Sequence, residues 1–383
     1  MIPYGRQNIT IADVDAVVEV LRSNFLTQGP VVPRFEACVA GRVGAAHAVA
    51  VNSATSALHI ACLALDLGPG DLLWTSPITF VASANAGVYC GADIDFVDID
   101  PTTLNLCPRA LERKLAEAKA AGRLPKVIVA VHMAGLSCEM DAIAQLAQAY
   151  GIRLIEDASH AIGGRFRNAP VGSCRYSDIT VFSFHPVKIV TTAEGGLATT
   201  NDPALARSME LFRSHGVTRD PAEMTGPSDG PWYYQQILLG YNYRMTEMQA
   251  ALGISQMERL DSFITRRHAL ARRYDTLLAS LPVRVQAQAP HQYSGLHLYI
   301  IQLDDAARRA AVFTTLRAAG IGANVHYIPV HTQPWYRAHG HADSIFANAE
   351  DYYARAISLP MYPDLTEAEQ DYVVSQLTEA LSQ

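Results

Sequence analysis

VIVAVHMAGLSCEMDAIAQLAQAYGIRLIEDA, residues Val127 to Ala158, decides the fold. It opens on a β-branched apolar run, VIVAV (Val127 to Val131), continues through an alanine-rich helical pattern from Glu139 to Tyr150, and returns to a second apolar run, RLIEDA. Strand, helix, strand at this separation is the parallel βαβ unit. The alternation extends toward the N-terminus. AVAV (Ala48 to Val51) is followed by a helix from about Ala54 to Leu65, LLWTS by a helix from Phe80 to Tyr89, and IDFVDI by a helix from Pro108. From about residue 45 to residue 200 the chain therefore reads as an α/β protein with a mainly parallel sheet.

Beyond Thr246 the pattern changes to EMQAALGISQMERLDSFITRRHALARRYDTLLASL, where apolar residues at three- and four-residue spacing predict one long helix that links two domains. The remainder, from about Pro282, mixes a short strand, LHLYIIQL, with helices at Asp305 to Ala319 and Thr366 to Leu381. We expect a large domain over 1–250, and over 251–383 the linking helix with a small α+β domain.

Composition removes several classes of function. With 49% hydrophobic and 17% charged residues among 383, the chain has enough apolar mass for a large core and a second smaller one. Its net charge of -7 and the lack of any Lys/Arg run leave no basic footprint for nucleic acid or an anionic membrane. No stretch holds the roughly 18 uninterrupted apolar residues of a membrane span. The six cysteines, Cys38, Cys62, Cys90, Cys107, Cys138 and Cys174, are scattered without a C-x-x-C pair and read as reduced cytosolic thiols, so a cytoplasmic location is expected. His339-Gly-His341 with Asp343 nearby makes no metal motif, and no metal is expected.

In a parallel sheet, ligands collect at the carboxyl ends of the strands, so the residues just after each apolar run carry the chemistry. After AVAV comes a small-residue turn, with Ala54, Thr55 and Ser56 opening a helix whose N–H groups and dipole suit a phosphate; ordinary helix capping is the alternative. After LLWTS comes Phe80, a platform for a planar cofactor or else a core residue. RLIEDA ends in Glu156-Asp157, with His160 one turn on, and an aspartate there holds a proton on a pyridine nitrogen or caps the following turn. FSFHPVKIVTTAEGG follows, with Ser183 after a strand and Lys188 among aliphatic residues. Burial disfavours the ammonium form, and a lysine so placed is suited to forming a Schiff base; a surface loop is the alternative.

Jointly, NSATSALH, SPITFVASANA, IEDASHAIGG, FSFHPVKIVTTAEGG, FRSHGV, GYNYRMTEMQAALG and VHYIPVH resemble the DegT/DnrJ/EryC1/StrS family of sugar aminotransferases, across essentially the whole chain. The resemblance implies a fold-type I aminotransferase that uses pyridoxal phosphate. It makes Lys188 the Schiff-base lysine, Asp157 the partner of the pyridine nitrogen, Phe80 the residue against the ring and His160 the neighbour of the ring hydroxyl. Ser183 and the Ala54-Thr55-Ser56 turn correspond to the phosphate cup. Asn242, in GYNYR, resembles an asparagine that reaches the neighbouring subunit's cofactor, which implies a homodimer with shared active sites. The sequence departs from the family at Ile189-Val190, where a proline is expected.

Within the family, MIPYGRQ, SNFLTQGP, FHPVK and VHYIP look most like the transaminases of pseudaminic acid biosynthesis. In that subgroup Tyr4 of the N-terminal segment, Asn24, Phe25, Leu26 and Thr27, and His326, Tyr327, Ile328 and Pro329 line the nucleotide-sugar site, with Tyr4 and Tyr327 as platforms for uracil or sugar; packing between domains is their alternative role. The implied reaction moves the amino group of L-glutamate to C4 of a UDP-4-keto-6-deoxy-N-acetylhexosamine. The alternatives are another nucleotide 4-keto sugar, of the 4-amino-arabinose, viosamine or bacillosamine type, and a catalytically silent regulatory protein of the same fold. Sugar dehydration, which a sister group performs with a histidine in place of the lysine, is disfavoured by Lys188.

Overall fold

The computed structural model describes residues 1–382. Seven strands form the main sheet. They are β1 (His47–Val51), β2 (Leu72–Thr75), β3 (Asp93–Phe96), β4 (Val127–Val131), β5 (Arg153–Asp157), and the strands Ile179–Ser183 and Gly196–Thr200. Their spatial order is β1, Gly196–Thr200, Ile179–Ser183, β5, β4, β2, β3. Every pair from β3 to Ile179–Ser183 is parallel, and Gly196–Thr200 runs antiparallel to both neighbours. The sheet is mainly parallel, as the βαβ reading expects.

The apolar runs are continuous because helices cover both faces of the sheet. Val127, Val129 and Val131 pack on the side of α3 (Ala54–Ala64), while Ile128 and Ala130 pack on the side of α5 (Pro108–Ala120) and α6 (Met140–Tyr150). In the chain order, α1 (Ile11–Leu21) and α2 (Val31–Val43) precede these helices, and α4 (Ala82–Tyr89) and α7 (Pro203–Arg213) complete the set. The helix expected from Phe80 begins two residues later, which leaves Phe80 exposed ahead of it.

The long helix expected after Thr246 is two helices, α8 (Glu247–Glu258) and α9 (Leu260–Leu278), with a break at Arg259 (φ -101°, ψ 3°). Thr246 and Gln249 form a capping box that starts α8, with reciprocal bonds of 2.9 and 3.3 Å. Hydrophobic spacing runs on through the break, so periodicity does not announce it. At that point the Arg259 guanidinium is tied to Asp13, at 2.5 Å, and to Asn8. Asp13 also accepts from Ser255 and Gln256, so the end of α8 is fastened to the start of α1.

α9 then spans two cores. Leu260, Phe263 and Ile264 pack with the large sheet, and Leu270, Tyr274 and Leu278 pack with a smaller antiparallel sheet of Val283–Val285, Tyr299–Leu303 and Ala356–Leu359. The helices Arg309–Ala318 and Glu367–Ser382 close the second core. The N-terminus is laid on this smaller unit: Ile2 pairs with Ile321, and the Met361 N–H donates to the Tyr4 carbonyl at 2.9 Å. No helix among the described residues is long and apolar enough to cross a membrane.

The lysine loop follows Ile179–Ser183. The Phe184 N–H donates to the Gly195 carbonyl, and the Phe184 carbonyl accepts from Thr192, which closes the loop at its neck. Ile189 and Val190, standing where proline was expected, are buried in the core beneath it, so packing restrains the loop in place of a fixed φ. One residue remains strained: Ala193 is exposed and left-handed, with φ +66°. An L-residue there costs about 1–2 kcal/mol, partly offset by the ~0.5–1 kcal/mol of chain entropy that glycine loses on folding. Ala193→Gly should therefore stabilise the protein by up to about 1 kcal/mol. Urea titration checks this, and an unchanged or lower midpoint would show that the loop bears no such strain.

Candidate active site

The strand register lines up one edge of the sheet. Val131 lies opposite Asp157, Asp157 opposite Val181, and Gly196 opposite both Val51 and Ser183. Chain segments leaving this edge enclose a cavity of about 620 Å³. Its walls include Ser53, Ala54 and Thr55 after β1, Thr79 and Phe80 after β2, Asp157 and His160 after β5, and Ser183 and Lys188 from the following strand and loop. Tyr4 and the segment Asn324 to Ile328 close it from the side of the smaller sheet.

Asp157 is 6% exposed. Its Oδ2 accepts from the Ser83 hydroxyl at 2.6 Å and its Oδ1 from the Ser159 N–H at 3.1 Å. Ser83 is in turn 2.7 Å from Thr79 Oγ1. These bonds turn the carboxylate to face the cavity. Lys188 is half-buried in the cavity wall, and its pKa falls to about 8 because burial disfavours the ammonium, against the opposing pull of Asp157. About a tenth of this group is thus free amine at pH 7, far more than for an ordinary lysine.

Three histidines stand near the amine, all held neutral. His160 and His297 are pushed well below the usual imidazole range, first by burial and then by Lys188; His326 is pushed down to about 3 by the same two causes. His160 and His297 lie ring to ring at 4.5 Å. His326 Nδ1 meets Ser358 Oγ at 2.8 Å, and its ring packs 5.2 Å from Tyr4. The Tyr327 hydroxyl is 3.1 Å from His160 Nε2.

The phosphate-cup expectation needs one correction. Ser56 does not line the cavity: it is buried, with its hydroxyl donating to Asn52 Oδ1 at 2.7 Å. The lining hydroxyl is that of Ser53, the N-cap of α3, which accepts from the Ser56 N–H at 3.1 Å. Ser56 falls on the buried face of α3, which is why the inner serine is not the accessible one. Ala54 and Thr55 remain on the wall, and Ser183 lies across from them. A Cβ on Gly196 would lie 2.4 Å from the Ser53 and Ala54 backbone, so only glycine lets this strand approach the cup so closely.

Other expected residues lie apart. Asn242 is exposed and outside the cavity of its own chain. Asn24, Phe25, Leu26 and Thr27 form an exposed stretch docked on the start of α8, with Thr27 bridged to Thr246. Pro329 is buried behind the wall that His326, Tyr327 and Ile328 form. Sequence reasoning missed Ser83, although it sits in SPITFVASANA, three residues after Phe80 and facing the sheet. It also missed His297, for which nothing local gives a signal. His339 stacks on Trp335 and His341 bonds the Ile94 carbonyl, and no group of three or more candidate metal ligands occurs among the described residues.

This donor set fits a phosphorylated pyridine aldehyde: an amine, a carboxylate held by two donors, a helix N-terminus with hydroxyls, and an exposed aromatic ring at Phe80. Comparison with known proteins agrees. Residues 7–378 match the model of the DegT/DnrJ/EryC1/StrS aminotransferase family. The spore coat polysaccharide biosynthesis protein SpsC of Bacillus subtilis is 39% identical over 382 residues, covering 97% of this chain and 95% of that protein. Among solved structures, Helicobacter pylori PseC, an aminotransferase involved in the biosynthesis of pseudoaminic acid, superposes with a TM-score of 0.91 at 31% identity, covering 100% of this chain and 99% of that one. The putative sugar aminotransferase Spr1654 of Streptococcus pneumoniae, in its PMP form, gives 0.90 at 29%, with the same coverage. The chain belongs to the DegT/DnrJ/EryC1/StrS aminotransferase family, and its cofactor is pyridoxal phosphate.

The depressed Lys188 has a measurable consequence. Between its folded pKa of about 8 and the ~10.4 of an unfolded lysine, the unfolded chain binds more protons, so this group adds stability as pH rises through that window. Below about 8 both states are protonated and the fold bears the cost of the enclosed ammonium. Lys188→Met should abolish this rise. Denaturation midpoints of cofactor-free wild type and variant on either side of the window should converge or cross as pH increases, and parallel profiles would refute the assignment.

Proposed function

We propose that this member of the family transfers the amino group of L-glutamate to the C4 carbonyl of a UDP-4-keto-6-deoxy-N-acetylhexosamine, the step that gives a 4-amino-4,6-dideoxy sugar in pseudaminic acid biosynthesis. The observation that carries the reading is the convergence of Lys188 and Asp157 on one cavity whose outer wall is aromatic, from Tyr4, Phe80 and Tyr327. Bound pyridoxal phosphate supplies an electron sink that makes the donor's α-proton removable.

The chain's own residues do the rest. Lys188, partly neutral near pH 7, would take the proton from the donor carbon and return one within the same half, and in the return half would again take a proton and deliver one to the sugar's C4, as general base and then acid in each. Asp157, fixed by Ser83 and Ser159, would hold a proton on the ring nitrogen. Ala54 and Thr55 N–H groups with the Ser53 and Ser183 hydroxyls receive the phosphate. Phe80 covers one face of the planar ring, and His160 stands by its hydroxyl. Tyr4, His326, Tyr327 and Ile328 receive the sugar, with Pro329 backing them.

The working unit in this reading is a homodimer. The cavity lining carries one lysine and no arginine among the described residues, although glutamate brings two carboxylates and the sugar a diphosphate. Exposed Asn242, with Asn24, Phe25, Leu26 and Thr27, would complete the site of a second copy. Drawing on nucleotide sugars and glutamate, the enzyme would work in the cytoplasm.

The specific sugar is supported by the likeness to PseC. A second reading, another nucleotide 4-keto sugar destined for surface polysaccharide, is supported by the higher identity to SpsC. The two separate in one experiment. Glutamate should bleach the near-visible band of the bound cofactor, and the UDP-4-keto-6-deoxy-N-acetyl sugar should restore it. Bleaching without restoration removes this substrate and favours the second reading; no bleaching removes glutamate. Asp157→Ala should lower turnover by roughly 10²-fold or more while phosphate docking survives, since it removes a charge aimed at the reacting system; full turnover in that variant would end the role given to Asp157.

A further inference from the structure

The hydrogen bond between Tyr327 and His160 fixes where protons lie in this wall. His160 is 6% exposed and neutral, held so by burial and by the nearby Lys188, so its ring carries a single proton. Its Nδ1 is buried and has no partner among the described residues, while its Nε2 lies 3.1 Å from the Tyr327 hydroxyl, with the two rings 21° from parallel. A proton on Nδ1 would bury an N–H with no acceptor, a cost of about 1–3 kcal/mol, whereas an unfilled nitrogen lone pair is the cheaper vacancy. The proton therefore belongs on Nε2, where it is donated to the phenolic oxygen.

That leaves the phenol's own hydrogen. Tyr327 is raised above the usual tyrosine range, first by burial and then by Tyr4 and Asp157, so the hydroxyl stays protonated. His160 is the hydroxyl's one hydrogen-bond partner among the described residues, and the side chain lines the cavity. Its hydrogen is free to be given to whatever occupies that space. Phe80 at 6.2 Å and His326 at 4.9 Å, ring centre to ring centre, hold the phenol from two sides.

We infer that Tyr327, oriented by the Nε2–H of His160, donates its phenolic hydrogen to an acceptor oxygen of the bound molecule, acting as a polar contact and not only as a flat platform for uracil or sugar. The acceptor is an oxygen of partial negative charge, belonging either to the cofactor ring or to the sugar. The inference rests on the amino-transfer reading of the same site, but its first test does not.

Nitrogen-15 spectra of the full chain labelled at histidine, taken before cofactor is added and assigned with His160→Gln, should find His160 as the Nε2–H tautomer. The Nδ1–H tautomer would overturn the proposal whatever the substrate proves to be. Tyr327→Phe keeps the ring and removes the donor. It should weaken one binding step roughly tenfold, the worth of one hydrogen bond, and should leave His160 with a mixture of tautomers. A loss in pyridoxal phosphate affinity identifies the cofactor as acceptor; an unchanged affinity with a raised sugar KM identifies the sugar. Unchanged values for both, in a variant whose melting temperature matches wild type, would refute the donor role. If Tyr327→Phe melts early, both affinities are measured at a temperature where variant and wild type are fully folded, and unchanged values there refute the donor role in the same way.

Discussion

The rest of the site depends on how Asp157 is held at the end of β5. A carboxylate that is 6% exposed carries a large desolvation cost unless donors surround it. Two are supplied from different parts of the chain, the Ser83 hydroxyl from α4 and the Ser159 N–H from the turn that follows β5. Ser83 is itself braced by Thr79. The carboxylate thus joins the segment after β2 to the segment after β5, and these two segments carry Phe80 and His160 to the cavity.

A second constraint holds the far wall. Arg267, on α9, is fully buried with no carboxylate bonded to it among the described residues, and donates from Nη1 to the carbonyls of Leu296, His297 and Met361 at 3.0–3.2 Å. Burial lowers it to about 10, and those carbonyl dipoles are what offset the cost of the charge. The arrangement ties α9 to the segment bearing His297 and to the strand end against which Tyr4 is laid. The N-terminal residues and the smaller sheet therefore reach the cavity as one wall.

How much of this was legible beforehand follows from how local each signal is. Parallel strands buried on both faces announce themselves as apolar runs, and their carboxyl ends are then known to within a residue, which is why Asp157, Ser183, Lys188, Phe80 and the turn at Ala54 could be expected at this edge from sequence, and all of them line the cavity. Which of two neighbouring serines faces the cavity depends on helix capping geometry, and there Ser56 was expected where Ser53 stands. The break at Arg259 comes at a tie to Asp13 and Asn8, about 250 residues away in the chain, and no window of sequence contains it. His297 and the unmatched hydroxyl of Tyr327 are products of the same distant folding.

Lys188 raises the question of why it is not simply paired. A carboxylate in contact would hold the amine as an ammonium and remove it from proton transfer, while full isolation would leave a neutral base unable to return the proton. The structure sits between these limits: burial lowers the pKa, Asp157 raises it, and His160, His297 and His326, which feel the amine's charge, are kept uncharged chiefly by burial. Because those imidazoles carry no charge, they line the space around the amine without adding to its repulsion. A group that transfers protons works best with its pKa close to the ambient pH, and burial brings Lys188 to about 8 with no ion pair to it among the described residues.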